Sequence, residues 1–198
     1  MKLQFISRKE YRLIHDTNFQ NTISKQYQPV YIIPEGGSNP LAINSCADYI
    51  SHTTSDYDIL CCACGTGATL AGLIKGLNNS KTVIGFPVLK GGEFLYDDIR
   101  SFLNETSNSN TFKNWSLISD YHFGGYARST AELEEFIIEF KKSHNILLEP
   151  VYTGKMMFAL FDLIKKGYFE KGSRILVIHT GGIQGLNGFP ELKKQLEY

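Results

Sequence analysis

The stretch Asp58–Leu77, DILCCACGTGATLAGLIKGL, constrains the chain more than any other. An apolar run, Ile59 to Ala63, breaks at Gly65-Thr66-Gly67-Ala68-Thr69, and apolar residues return at helical spacing as Leu70, Leu73, Ile74 and Leu77. That order reads strand, tight loop, helix. Glycines in such a loop let the backbone approach a ligand closely, the first N–H groups of the helix lack internal partners and point outward, and threonine hydroxyls add donors. The stretch is an anion cradle, and which phosphate it holds is the functional question.

The remaining chain repeats the alternation. Val30–Ile33 is a predicted strand, closed by Pro34 and the loop Glu35-Gly36-Gly37-Ser38-Asn39, with a helix from Pro40 to about His52 that Ser38 is expected to cap. Thr82–Phe86 is a strand ended by Pro87 and Gly91-Gly92, followed by a helix through Phe94, Ile99 and Leu103 and a polar loop over 104–111. Trp115–Ile118 is a short strand, and Asp120–Tyr126 is an aromatic, glycine-bearing loop of the kind that carries function. Ser129-Thr130 with Glu132 opens an amphipathic helix on Leu133, Phe136, Ile137 and Phe140. Leu147–Tyr152 leads through Thr153-Gly154 to a helix over Lys155–Lys166, and Arg174–Ile178 is a buried strand closed by His179-Thr180-Gly181-Gly182, with a last helix near Glu191. Upstream, Leu3–Ile6 reads as a strand, Arg8–Ile14 as a short helix, and 17–28 as polar and turn-prone. Five strand–helix alternations predict a three-layer α/β fold, a mostly parallel sheet with helices on both faces. Ligands of such sheets sit at the carboxyl ends of the strands.

Charge excludes several classes. Twenty basic residues balance 20 acidic ones, with no long run of either sign, so the footprint of a nucleic-acid binder is missing and a small neutral or zwitterionic ligand fits better. No segment has the roughly 18 uninterrupted apolar residues of a membrane span, and the start carries no signal-peptide pattern, so the expectation is a cytoplasmic protein with no membrane partner. The four cysteines, at 46, 61, 62 and 64, do not form a disulfide framework. Cys61 and Cys64 make one C-x-x-C, but strand alternation sends them to opposite faces and no second pair exists, so they read as small buried hydrophobes and no metal is expected. His122 and His179 read as structural, since no carboxylate or cysteine shares a recognisable metal-ligand spacing with either.

Three phosphate ligands compete for the cradle. Gly65-x-Gly67 with Gly72 loosely matches the dinucleotide fingerprint, but the next strand ends Ile84-Gly85-Phe86-Pro87 without the acidic residue that a ribose needs. A P-loop is excluded because no Gly-Lys-Ser/Thr follows the glycines. The third ligand comes from the loops taken together. PEGGSNPLA, CGTGATLAGL, GGYARSTAEL, EPVYTGKMMFAL and VIHTGG, in this order, resemble the pyridoxal-phosphate family of 1-aminocyclopropane-1-carboxylate deaminase and D-cysteine desulfhydrase, which has the tryptophan-synthase-β-like fold.

The resemblance implies that Gly65, Thr66, Gly67, Ala68 and Thr69 hold the phosphate of pyridoxal 5'-phosphate. It further implies that Tyr152 packs by the pyridine ring, that Thr153 and Thr180 contact the cofactor, and that Tyr126 and Tyr152 are the catalytic tyrosines. Thr153 would face the ring nitrogen, where deaminase members place a carboxylate, so it leans toward the desulfhydrase side. Small amino-acid substrates and a homodimer follow from the same resemblance. One departure matters: the family's cofactor-bonding lysine, in a Gly-Asn-Lys context, and its Ser-Asn-His-type loop do not occur here. Lys155 reads as structural, and Lys75 and Lys90 lack supporting context. The expectation is an incomplete member, with 1–28 a remnant of the small domain and connector and 29–198 the cofactor-binding large domain. A non-catalytic domain that binds a phosphate ligand or nucleotide is the alternative.

Overall fold

In the computed structural model, which describes residues 3–106 and 112–196, the cradle stretch lies at the centre of the sheet. Helices α1 (Arg8–Tyr11), α2 (Thr17–Gln26) and α3 (Pro40–Ser51) precede β1 (Ile59–Cys64), which leads through α4 (Ala68–Leu77) to β2 (Thr82–Pro87) and through α5 (Leu95–Thr106) to β3 (Trp115–Leu117). The chain then runs through α6 (Ala131–His144) and α7 (Thr153–Lys165) to β4 (Ile175–Ile178) and α8 (Pro190–Gln195). Strand order is β3-β2-β1-β4, and every neighbouring pair is parallel, with Cys62 opposite Gly85 on one side and Ile178 on the other.

This order places a topological switch beside β1. The chain builds outward through β2 and β3, then returns to add β4 on β1's other side. A crevice opens where the direction reverses, outside the carboxyl ends of β1 and β4. Both Gly65–Thr69 and His179–Gly182 leave the sheet there.

Alternation along β1 divides the core into the two layers expected of the fold class. Leu60, Cys62 and Cys64 pack with Leu70, Leu73 and Ile74 of α4, while Cys61 and Ala63 pack with Met156, Ala159 and Leu160 of α7. Each fully buried leucine or isoleucine contributes about 1.5–3 kcal/mol. Helix α3 approaches α4 closely because Gly72 and Gly76 present no side chain to it. A Cβ at Gly72 would lie 2.7 Å from the Ile43 carbonyl oxygen, and one at Gly76 would lie 2.9 Å from Ala47 Cα. Beyond α7, a third cluster joins Leu133, Ile137 and Phe140 of α6 to Leu148, Leu186 and Leu192.

Several expected elements differ. Val30–Ile33 and Leu3–Ile6 pair with no strand. Tyr31 and Ile33 are 66% and 70% exposed, so their β preference finds no neighbouring strand to satisfy its backbone groups. Residues 17–26 form a helix instead of turns, because Asp16 accepts the Phe19 N–H at 2.9 Å as its cap. Helix α1 is shorter than 8–14, α7 starts two residues earlier than expected, and β4 is half-buried. Asn39, not Ser38, caps α3, its side chain accepting the Ala42 N–H at 2.9 Å. The polar tract 104–111 splits: 104–106 end α5, and 107–111 lie outside the described residues. Among the described residues, 3–28 contribute no strand to the sheet, and an apolar groove of about 640 Å³ lies between them and Ile32–Glu35. Among the described residues, no helix is long and apolar enough to cross a membrane.

Candidate active site

The cradle is built by one left-handed residue. Gly67 has φ 84° and serves as the N-cap of α4 with no side-chain hydrogen bond, so the N–H groups of the first turn face outward without a capping oxygen. A non-glycine residue would be strained at this φ, and a Cβ would meet Ile99 Cγ1 at 2.8 Å. Gly65 and Thr66 are half-buried, Ala68 is buried and Thr69 is exposed. Ser38 Oγ donates to Thr66 Oγ1 at 2.7 Å, which ties the PEGGSN loop to the cradle and leaves the Thr66 proton for another acceptor. An oxyanion fits this donor set.

The structure brings both tyrosines to the same edge. A Cβ on Gly65 would sit 3.2 Å from Tyr152 Cε1, so the Tyr152 ring lies directly against the cradle. Its hydroxyl donates to that of Tyr126 at 3.5 Å, and the rings meet edge to face with centroids 6.0 Å apart. Tyr152 is half-buried and Tyr126 is 56% exposed. Burial, then the contact with Tyr126, raises the Tyr152 pKa above the ordinary phenol value. Tyr152 therefore keeps its proton at neutral pH.

Sequence reasoning missed what holds Tyr152. Glu149 is fully buried and accepts the N–H groups of Val151 (2.7 Å), Tyr152 (2.8 Å) and Thr153 (2.7 Å). The Tyr152 and Thr153 N–H groups are orphan donors at the start of α7, and a carboxylate there also suits the helix dipole. An acidic residue followed by Pro150 and the Thr153-Gly154 helix start was the available signal. Thr153 is also fully buried, and its hydroxyl donates to Glu149 Oε1 at 3.2 Å while accepting the Glu149 N–H at 3.1 Å. Missed as well was Glu35, which accepts the Tyr11 hydroxyl at 2.6 Å and whose charge adds to the upward shift of Tyr152.

Lys155 is 1% exposed. Burial lowers its pKa from the usual 10.5 to about 8, with Glu149 opposing the shift. Below about pH 8 the ammonium is charged in folded and unfolded chains alike. Between about 8 and 10.5 the unfolded chain keeps a proton that the folded one has lost, so this residue's contribution to stability rises with pH. The stability of the wild type relative to Lys155→Met, followed by urea melts, is expected to increase from pH 7.5 to 10; a flat or falling difference contradicts this.

Thr180 is exposed, beyond β4 at the switch crevice, and does not cap the following turn, whose N-cap is Gly182. His179 is structural, with Nε2 2.9 Å from the Leu147 carbonyl oxygen and Nδ1 accepting the Gly181 N–H at 3.1 Å. His122 Nδ1 accepts the Gly124 N–H at 3.0 Å. Burial pushes the Cys61 and Cys62 thiols up to about 12 and raises Cys64 as well, which leaves them inert. Among the described residues, no group of His, Cys, Asp and Glu could hold a metal ion. Strand β2 runs directly into Val88-Leu89-Lys90, with no carboxylate at the ribose position.

Residues 12–181 match the family described as pyridoxal-phosphate dependent enzyme. A putative 1-aminocyclopropane-1-carboxylate deaminase of Pyrococcus furiosus is 38% identical over 168 residues, 78% of this chain and 50% of the relative. The bifunctional D-cysteine desulfhydrase/1-aminocyclopropane-1-carboxylate deaminase, mitochondrial, of Arabidopsis thaliana is 30% identical over 201 residues, 93% of this chain and 50% of the relative. A crystal structure of an ACC deaminase homologue superposes with a TM-score of 0.79 at 26% identity, covering 98% of this chain and 62% of the other. The chain spans about half the length of the curated relatives it matches.

Proposed function

Because this chain belongs to the pyridoxal-phosphate dependent enzyme family, we propose that Gly65–Thr69 hold the phosphate of pyridoxal 5'-phosphate and that Tyr126 and Tyr152 face a small amino acid. The reaction is of the 1-aminocyclopropane-1-carboxylate deaminase or D-cysteine desulfhydrase type. One observation carries this reading: the Tyr152 ring lies against Gly65, so a ligand whose phosphate rests on α4 has an aromatic wall and two hydroxyls within its own length. When bound, the cofactor supplies an electron sink for the substrate's α-carbon. The protein's residues supply the remainder. First-turn N–H groups and Thr66 fix the phosphate, and Tyr152, held protonated, donates a proton or hydrogen bond to the substrate. Thr153 is the neutral partner for the ring nitrogen, which favours the desulfhydrase type; its hydroxyl must then exchange Glu149 for the ring. Thr180 adds a contact from the loop after β4. A cytoplasmic homodimer, with 29–198 as the cofactor domain and 1–28 joining a smaller one, belongs to the same reading.

A non-catalytic phosphate-binding role is the second reading, favoured by Lys155 being spent on carbonyl oxygens. Incubation with pyridoxal phosphate, borohydride reduction and peptide mapping test both. The expected result is cofactor held noncovalently, with no lysine of this chain labelled. Failure to retain cofactor overturns the cofactor assignment, and a label on Lys155 overturns its structural reading.

A further inference from the structure

Lys155 is an expensive residue where it stands. It lies in the first turn of α7, at the positive end of the helix dipole, with its side chain out of water. Such a charge persists only where its donors are used. An ammonium has three N–H bonds, and three carbonyl oxygens receive them: Gly125 at 2.7 Å, His122 at 2.9 Å and Val88 at 3.4 Å. Val88 follows directly from β2, so the anchor is the rigid sheet. The other two belong to the loop that presents Tyr126.

That loop needs an anchor. Phe123, Gly124, Gly125 and Ala127 all have positive φ, at 50°, 90°, 117° and 52°. For the two non-glycine residues such angles cost stability and persist only when surroundings impose them. Within the loop, the Gly125 N–H donates to the His122 carbonyl at 3.0 Å, the Arg128 N–H to the Gly125 carbonyl at 3.2 Å, and the Gly124 N–H to His122 Nδ1 at 3.0 Å. Lys155 grips the same two carbonyls, His122 just before the left-handed run and Gly125 within it, immediately before Tyr126. Tyr152 lies three residues earlier on the segment that carries Lys155. One short segment thus presents one tyrosine directly and reaches under the other.

We infer that Lys155 is the positioning residue that holds Tyr126 against Tyr152. The inference rests on reading those tyrosines as the pair that faces the substrate, but its test reads their geometry and not turnover. In the wild type, side-chain ¹⁵N spectra are expected to show a slowly exchanging Lys155 ammonium with through-hydrogen-bond couplings to the His122 and Gly125 carbonyl carbons. In Lys155→Met, the cross-relaxation between the Tyr126 and Tyr152 rings is expected to vanish and amide exchange at 123–127 to accelerate at least tenfold. Pyridoxal-phosphate affinity should stay within about threefold, because the cradle lies on α4. Leu163→Ala, a core truncation farther along α7, is the control that should lower stability while leaving the ring contact in place. An unchanged ring contact in Lys155→Met overturns the inference, and so does absence of the carbonyl couplings in the wild type, a measurement that needs no variant to fold. Loss of cofactor affinity in the wild type would instead count against the proposed function.

Discussion

Replacing Glu149 with leucine is expected to lower stability by about 3–5 kcal/mol, the largest effect of any single substitution near the site. Three backbone N–H groups and the Thr153 hydroxyl would lose their acceptor at once. Each buried donor left without a partner costs about 1–3 kcal/mol. The Lys155 charge would also lose the carboxylate that supports it. Glu149→Gln keeps one acceptor oxygen but turns an amide toward N–H groups, so roughly half the loss is expected. Urea denaturation of the two variants checks this, and a loss below about 1 kcal/mol for Glu149→Leu would contradict the assigned role.

Gly67→Val is the second large effect, and it falls on binding. Valine at φ 84° is strained, and its Cβ would press on Ile99 at 2.8 Å, so the turn must open and the first-turn N–H groups must rotate away from their common focus. A phosphate held by two such charge-assisted bonds loses about 3 kcal/mol. That corresponds to roughly a hundredfold weaker binding. Gly67→Ala carries the same strain with less bulk and is expected to fall between valine and wild type.

The cradle was legible in the sequence because strand, loop and helix are contiguous there and each carries its own local signal. Ile59–Ala63 had to be buried on both faces, and Leu70, Leu73, Ile74 and Leu77 had to share one. The parallel sheet followed from repetition of that unit. Val30–Ile33 was misread because β preference describes a residue's fit to a sheet and not whether an adjacent strand exists. Ser38 was misread because two adjacent residues could both cap α3; Asn39 does so, and Ser38 turns to Thr66 instead. Glu149 and Lys155 were illegible as a pair of supports, since their partners are backbone groups whose positions only the tertiary fold sets. The meeting of Tyr126 with Tyr152, 26 residues apart, depends on those same supports.

Binding of pyridoxal phosphate through its phosphate at the β1–α4 turn is open to direct measurement. Calorimetric titration of the wild type and Gly67→Val with pyridoxal phosphate, and of the wild type with pyridoxal, measures this directly. The expected result is binding of pyridoxal phosphate by the wild type, weakened about a hundredfold both by the substitution and by removal of the phosphate. Equal affinity for pyridoxal, or undiminished binding by a folded Gly67→Val, would contradict it.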